Sequence, residues 1–137
     1  MRINYNKLIN YYEKIVNADK FSAVLLRIGF NKISNGKFCD VFRYKDHPIV
    51  IKVVVRGSQA LPTIKKTDKK LSQVFVGYKN LSLDSVVGVQ DFVEEYLSLS
   101  DPILKREVKL LTKLRRKYDI HIGNIGVFNG KPVVFDF

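Results

Sequence analysis

The 137-residue chain is 46% hydrophobic and 27% charged, which is enough apolar material for one ordinary core and too little length for a multidomain enzyme. Its 24 Lys and Arg outnumber 13 Asp and Glu, and the net charge of +11 points to an anionic ligand or partner. Cys39 is the single cysteine, which excludes an intramolecular disulfide and a cysteine-rich zinc site; no apolar run nears the roughly 18 residues of a membrane helix, so a soluble, cytoplasmic protein is expected.

In chain order, Tyr5, Leu8, Ile9, Tyr12, Ile15 and Val16 recur at helical spacing. Phe21, Val24, Leu25 and Ile28 do so again after Asn17-Ala18-Asp19, whose first residue suits a helix cap. Two short amphipathic helices are predicted over residues 1–30. The β-branched and aromatic runs Phe38 to Tyr44 and Ile49 to Val55, joined by Lys45-Asp46-His47-Pro48, predict a hairpin. Pro62 suits the first turn of a helix running to about Tyr78, with Ile64, Leu71, Val74, Phe75 and Tyr78 on one side and most of the lysines off it. Strands are expected over Val86 to Val89 and Phe92 to Leu97. Ser100-Asp101-Pro102 starts a further helix whose stripe is Leu104, Val108, Leu111, Leu114 and Tyr118. Ile125 to Phe128 and Pro132 to Phe137 predict a second hairpin around Asn129-Gly130. Sheet and helix segments are segregated along the chain, which argues for an α+β fold in a single domain.

Charge is segregated as well. Asp84, Asp91, Glu94, Glu95 and Asp101 form an acidic band with no Lys or Arg between Asn80 and Lys105, inside an otherwise basic chain. Such blocks are either solvated faces or an electrostatic footprint for phosphate, nucleic acid or an acidic protein.

Three short pieces carry chemistry. In Ser34-Asn35-Gly36-Lys37-Phe38-Cys39-Asp40-Val41, Gly36 permits a turn whose backbone amides approach phosphate, Phe38 is placed to cap the loop, and Val41 to face a flat base. In Ile49-Val50-Ile51-Lys52-Val53-Val54, one lysine interrupts a buried-looking strand; an unpaired buried ammonium is costly, so Lys52 must snorkel out or meet an anion. In Asp119-Ile120-His121-Ile122-Gly123-Asn124, followed by Asp136-Phe137, a carboxylate and an amide stand five apart, and Asn124 with Asp136 offers hard oxygen donors for a divalent cation.

In this order the pieces resemble a protein-kinase-like fold and, more narrowly, the early serine/threonine kinases of T7-like bacteriophages. The resemblance covers somewhat under half of the chain and is carried by Gly29-Phe30 through Asn35-Gly36-Lys37-Phe38 to Lys52, and by Asp119 to Asn124 through Asn129-Gly130 to Asp136. It implies a minimal kinase-like domain: helices over 1–30, an antiparallel N-lobe-like sheet with a helix over 31–97, and a helix with a catalytic-loop-like hairpin over 98–137, with a much reduced C-lobe. It also implies transfer of the ATP γ-phosphoryl group to Ser or Thr of a host protein. Asp119 would be the base and Lys52 the phosphate clamp, with Asn35, Gly36, Phe38 and Val41 around the nucleotide. Backbone groups near Glu95 and Tyr96 would meet the adenine, Asn124 and Asp136 would bind magnesium, and His121 would brace its loop.

The chain departs from the kinase pattern in several places. Lys117-Tyr118 precedes Asp119 where kinases carry an Arg, Ser34 and Cys39 replace two loop glycines, Asp68 is the nearest acid for Lys52, and nothing follows Asp136-Phe137. Two other readings follow from these departures and the charge. One is a catalytically inactive kinase-fold protein that binds and inhibits an acidic host protein of the transcription or defence machinery. The other is a basic nucleic-acid-binding protein using Lys105 to Lys117 and Lys65 to Lys70.

Overall fold

A computed structural model describes residues 2–35, 39–54, 61, 76–95, 125–128 and 131–134. Helix α1 (Tyr5–Ile15) begins where the Asn4 side chain accepts the Lys7 amide at 3.1 Å. Helix α2 (Ala18–Arg27) begins in the same way, with Asn17 accepting the Lys20 amide at 2.9 Å. Val16 ends α1 in the left-handed region, φ 45°, and its amide donates to the Tyr12 carbonyl. Both helices fall where the 3.6-residue periodicity puts them.

Strands β1 (Phe30–Asn35), β2 (Cys39–Tyr44), β3 (Ile49–Val54), β4 (Tyr78–Leu81) and β5 (Val87–Asp91) form one antiparallel sheet in the order β1-β2-β3-β5-β4. The fold is α+β. Strand β2 alternates half-buried and buried residues, whereas β3 at the centre is buried on both faces from Val50 to Val54. One face takes both helices: Ile9, Tyr12, Phe21 and Leu25 pack with Phe30, Phe42, Tyr44, Ile51, Val53, Val87 and Val89 in a continuous core. The Tyr12 and Phe21 rings meet edge to face at 5.5 Å and lock the two helices together. At the entrance to β1, Gly29 has φ 110° and a Cβ there would lie 3.1 Å from the Tyr44 ring, so the α2–β1 turn needs a glycine.

These residues, with Leu61 and Phe92, belong to one compact unit; residues 76–77, 93–95, 125–128 and 131–134 belong to another. In the latter, β6 (Glu94–Glu95), β7 (Ile125–Phe128) and β8 (Lys131–Val134) form a three-stranded antiparallel sheet in the order β6-β7-β8. Val76, Val93 and Val133 make its small apolar cluster.

Two expectations need correction. The helix expected from Pro62 does not extend to Tyr78: Val76 and Gly77 are outside any helix and Tyr78 opens β4. Helical spacing from Val74 coincides with Tyr78, but cross-strand pairing of Tyr78 with Gln90 decides its state. The strand expected from Phe92 is interrupted, since Phe92 and Val93 carry no strand and pairing resumes only at Glu94. Strands β1 and β4 give no sequence signal because both are edge strands, exposed along one side and rich in Asn and Lys. The remaining parts of the expected 62–78 helix, all of the helix after Ser100, and the Asn129-Gly130 turn lie outside the described residues. No helix among the described residues is long and apolar enough to cross a membrane.

Candidate functional site

Strand β3 sends Ile49, Ile51 and Val53 to the helix-covered face, so Val50, Lys52 and Val54 share the other face. Lys52 is 3% exposed there. Its register partners are Val41 on β2 and Gly88 on β5, which puts it mid-sheet with a strand on either side. Arg43 and Gln90, the partners of Val50, stand one step along on the same face. A lysine reaches such burial only if its ammonium is compensated, because desolvation of an isolated charge costs far more than its stem gains by packing.

The compensation visible around Lys52 includes an aromatic face. Nζ lies over the Tyr78 ring, 6.0 Å from its centroid. Tyr78 starts on β4, two strands away from β3, and β5 lies between them. Its ring crosses β5 at Gly88, where an added Cβ would come within 2.7 Å of ring carbon Cδ1 and 2.9 Å of Leu61 Cδ1. Only a position without a side chain lets the ring come down onto the sheet beside Lys52.

Several other charges on the described strands are engaged. Arg43 stacks on Phe92, with its guanidinium carbon 3.7 Å from the ring centroid, and its Nε donates to the His47 carbonyl at 2.8 Å. Lys32 reaches Asp40 at 3.5 Å and Lys79 reaches Asp91 at 3.0 Å. Asp40 pairs in register with Val53, which places it on the helix-covered face, away from the Lys52 side. Strand β1 carries a register shift between Lys32 and Ser34, so it bends just before the 36–38 connection that leads into β2.

Of the site residues expected from sequence, the structure brings Val41 and Lys52 together as direct cross-strand partners and ends β1 at Asn35, opposite Asp40. Glu95 lies in β6, paired with Gly126 at the edge of the smaller sheet. Gly36, Phe38, Tyr96, Asp119, Asn124 and Asp136, along with Asp68 and His121, lie outside the described residues. Tyr78 and Gly88 were missed. A glycine between Val87 and Val89 is the signal that marks such a close approach, whereas Tyr78 is hidden within an apparent helical stripe. Among the described residues, no group of three or more His, Cys, Asp or Glu is arranged to hold a metal ion.

No protein-family model matches this chain, and neither does any curated protein or solved structure. The kinase resemblance therefore rests on the residues that carry it. Chemically, the described site is a buried amine at the centre of a sheet, beside an aromatic ring and one strand away from β1.

Proposed function

We propose that the protein is a phage-type ATP-dependent serine/threonine protein kinase acting on host proteins. The observation that carries this reading is the position of Lys52. It is buried on the third strand of an antiparallel sheet, across from Val41, and the β1–β2 connection contains Gly36. The nucleotide-binding lysine of kinases has this strand context, on the third strand after a glycine loop. Burial in apolar surroundings strengthens an ammonium's attraction to phosphate, because little water competes for it.

In this reading Lys52 holds the α and β phosphates while the 35–38 loop and Val41 enclose the nucleotide, with the backbone near Glu95 and Tyr96 receiving the base. Asp119 accepts the proton of a Ser or Thr hydroxyl as its oxygen bonds to the γ phosphorus, and the bond from that phosphorus to the bridging oxygen breaks to release ADP. Asn124 and Asp136, an amide oxygen and a carboxylate, are hard donors suited to magnesium, which when bound would neutralise phosphate charge. The remaining basic surface, including exposed Lys7, Lys14, Lys20 and Arg27, is left for an acidic partner.

Titration calorimetry and label transfer from ATP to host protein test the reading. The full chain should bind magnesium-ATP, Lys52→Met should weaken binding by about ten- to a hundredfold, the loss of one charge-assisted contact, and Asp119→Asn should abolish transfer. Binding that survives Lys52→Met unchanged would overturn the mechanism. Retained nucleotide binding without transfer would favour the inactive, partner-binding form.

A further inference from the structure

Lys52 does not stand alone on its face of the sheet, and the way Tyr78 reaches it is specific. Strand β4 cannot touch β3 through backbone pairing because β5 intervenes. Tyr78 spans that strand with its side chain, and it can do so only over Gly88, the residue that is also the register partner of Lys52. Leu61 closes on the same spot, its Cδ1 lying 2.9 Å from where a Gly88 Cβ would be. Gly88, Tyr78 and Leu61 therefore form one apolar seat beside the ammonium, and the ring is its polarisable wall.

We propose that Tyr78 is a positioning residue for Lys52: seated on Gly88, its ring holds the ammonium in place at the centre of the sheet for an incoming polyphosphate. The proposal rests on the nucleotide reading of the site and adds to it a residue outside the motifs that suggested that reading. A flexible lysine stem has several rotatable bonds, and fixing its head before the anion arrives reduces the entropy lost on binding.

The test is a double-mutant cycle on the full chain, using Lys52→Met, Tyr78→Leu and the pair, with Tyr78→Phe as the conservative variant. Affinity for magnesium-ATP is one readout and the urea-unfolding equilibrium is the other. Tyr78→Leu is expected to weaken ATP binding about three- to tenfold, the size of a partly desolvated cation–π contact, while Tyr78→Phe stays within about twofold of wild type. Gly88→Ala displaces the ring without removing it and should reproduce the loss if Tyr78→Leu folds poorly. In the unfolding equilibrium, the pair should differ from the product of the singles by about threefold. Wild-type affinity in both Tyr78→Leu and Gly88→Ala would overturn the proposal and leave the nucleotide reading intact. If the wild-type chain binds no ATP, the nucleotide reading is overturned, and the unfolding cycle decides the contact: threefold coupling supports it and multiplicative singles overturn it.

Discussion

Val16 closes α1 with φ 45° and ψ 48°, a conformation that a β-branched side chain enters only with strain. It is 63% exposed, so burial offers little in return. Val16→Gly should raise stability by about 0.5–1 kcal/mol, the left-handed penalty less the added freedom of glycine in the unfolded chain; a urea midpoint no higher than that of wild type would contradict this. Tyr12 shows the opposite economy. Its ring is in the core, 2% exposed, and its hydroxyl donates to Asp84 at 2.7 Å. Burial and the Asp84 carboxylate both push the Tyr12 hydroxyl well above its usual range. Burial pushes the Asp84 carboxyl up, but hydrogen bonds from Tyr12, Ser82 and the Val86 amide outweigh it and leave Asp84 below its usual range. Tyr12→Phe should cost about 1.5–3 kcal/mol, as for a bond to a charged acceptor.

Between elements, that bond is joined by two further ties from α1, one to β4 and one to the turn joining β4 and β5. Asn80 donates to Asn6 at 2.8 Å, and the Leu83 amide donates to Glu13 at 3.3 Å. The turn itself is held by Ser82, whose hydroxyl donates to Asp84 and accepts the Val87 amide at 3.0 Å, while Ser85 takes φ 58°. The pH dependence of this tie has a definite sign. Asp84, lowered on folding, stabilises the fold above its ordinary 3.8, and that contribution is lost as pH falls through its depressed value. Tyr12, raised on folding, contributes below its ordinary 10.0, and that contribution is lost as pH rises towards its elevated value. The midpoint difference between wild type and Tyr12→Phe should therefore be flat between those limits and shrink beyond either one; a difference that keeps growing with acid would contradict the assignment. Core packing sets a larger scale. Phe42, fully buried between the helices and the sheet, should cost about 3–5 kcal/mol when replaced by Ala.

At the scale of the whole molecule the net charge is +11, and among the described residues Lys52 is buried at the sheet centre while Lys7, Lys14, Lys20 and Arg27 are exposed. Salt separates the two kinds. Exposed charges are screened within about 8 Å at physiological ionic strength, and buried ones much less. Binding of an acidic macromolecule should therefore fall steeply with added salt and weaken further in a Lys7→Glu, Lys14→Glu, Lys20→Glu variant. Magnesium-ATP affinity should be unchanged by that variant, since none of the three belongs to the Lys52 neighbourhood. Equal loss of ATP affinity in the surface variant would mean that ATP is held by general surface charge instead of by Lys52.

Residues whose neighbours in sequence are also their neighbours in space were legible before any fold was known. Asn17 marks a helix start, the stripes of α1 and α2 mark buried faces, and the apolar runs of β2 and β3 mark a hairpin. Lys52 was visible for the same reason, as a single charge inside an apolar run, whereas its pairing with Val41 across that hairpin is set by the strand register. The edge strands β1 and β4 were not legible, because half of each faces away from the core and needs no apolar pattern. Tyr78 was assigned to the wrong element because its local spacing is helical, while its partners, Gln90 in register and Gly88 beneath the ring, lie ten or more residues further along. The sequence alone determined the α+β class, the basic character and a single lysine inside an apolar strand whose charge needs compensation. Only the tertiary structure decided which face that lysine occupies and which ring lies beside it, since contacts across a sheet depend on strand order and register, which no local pattern encodes.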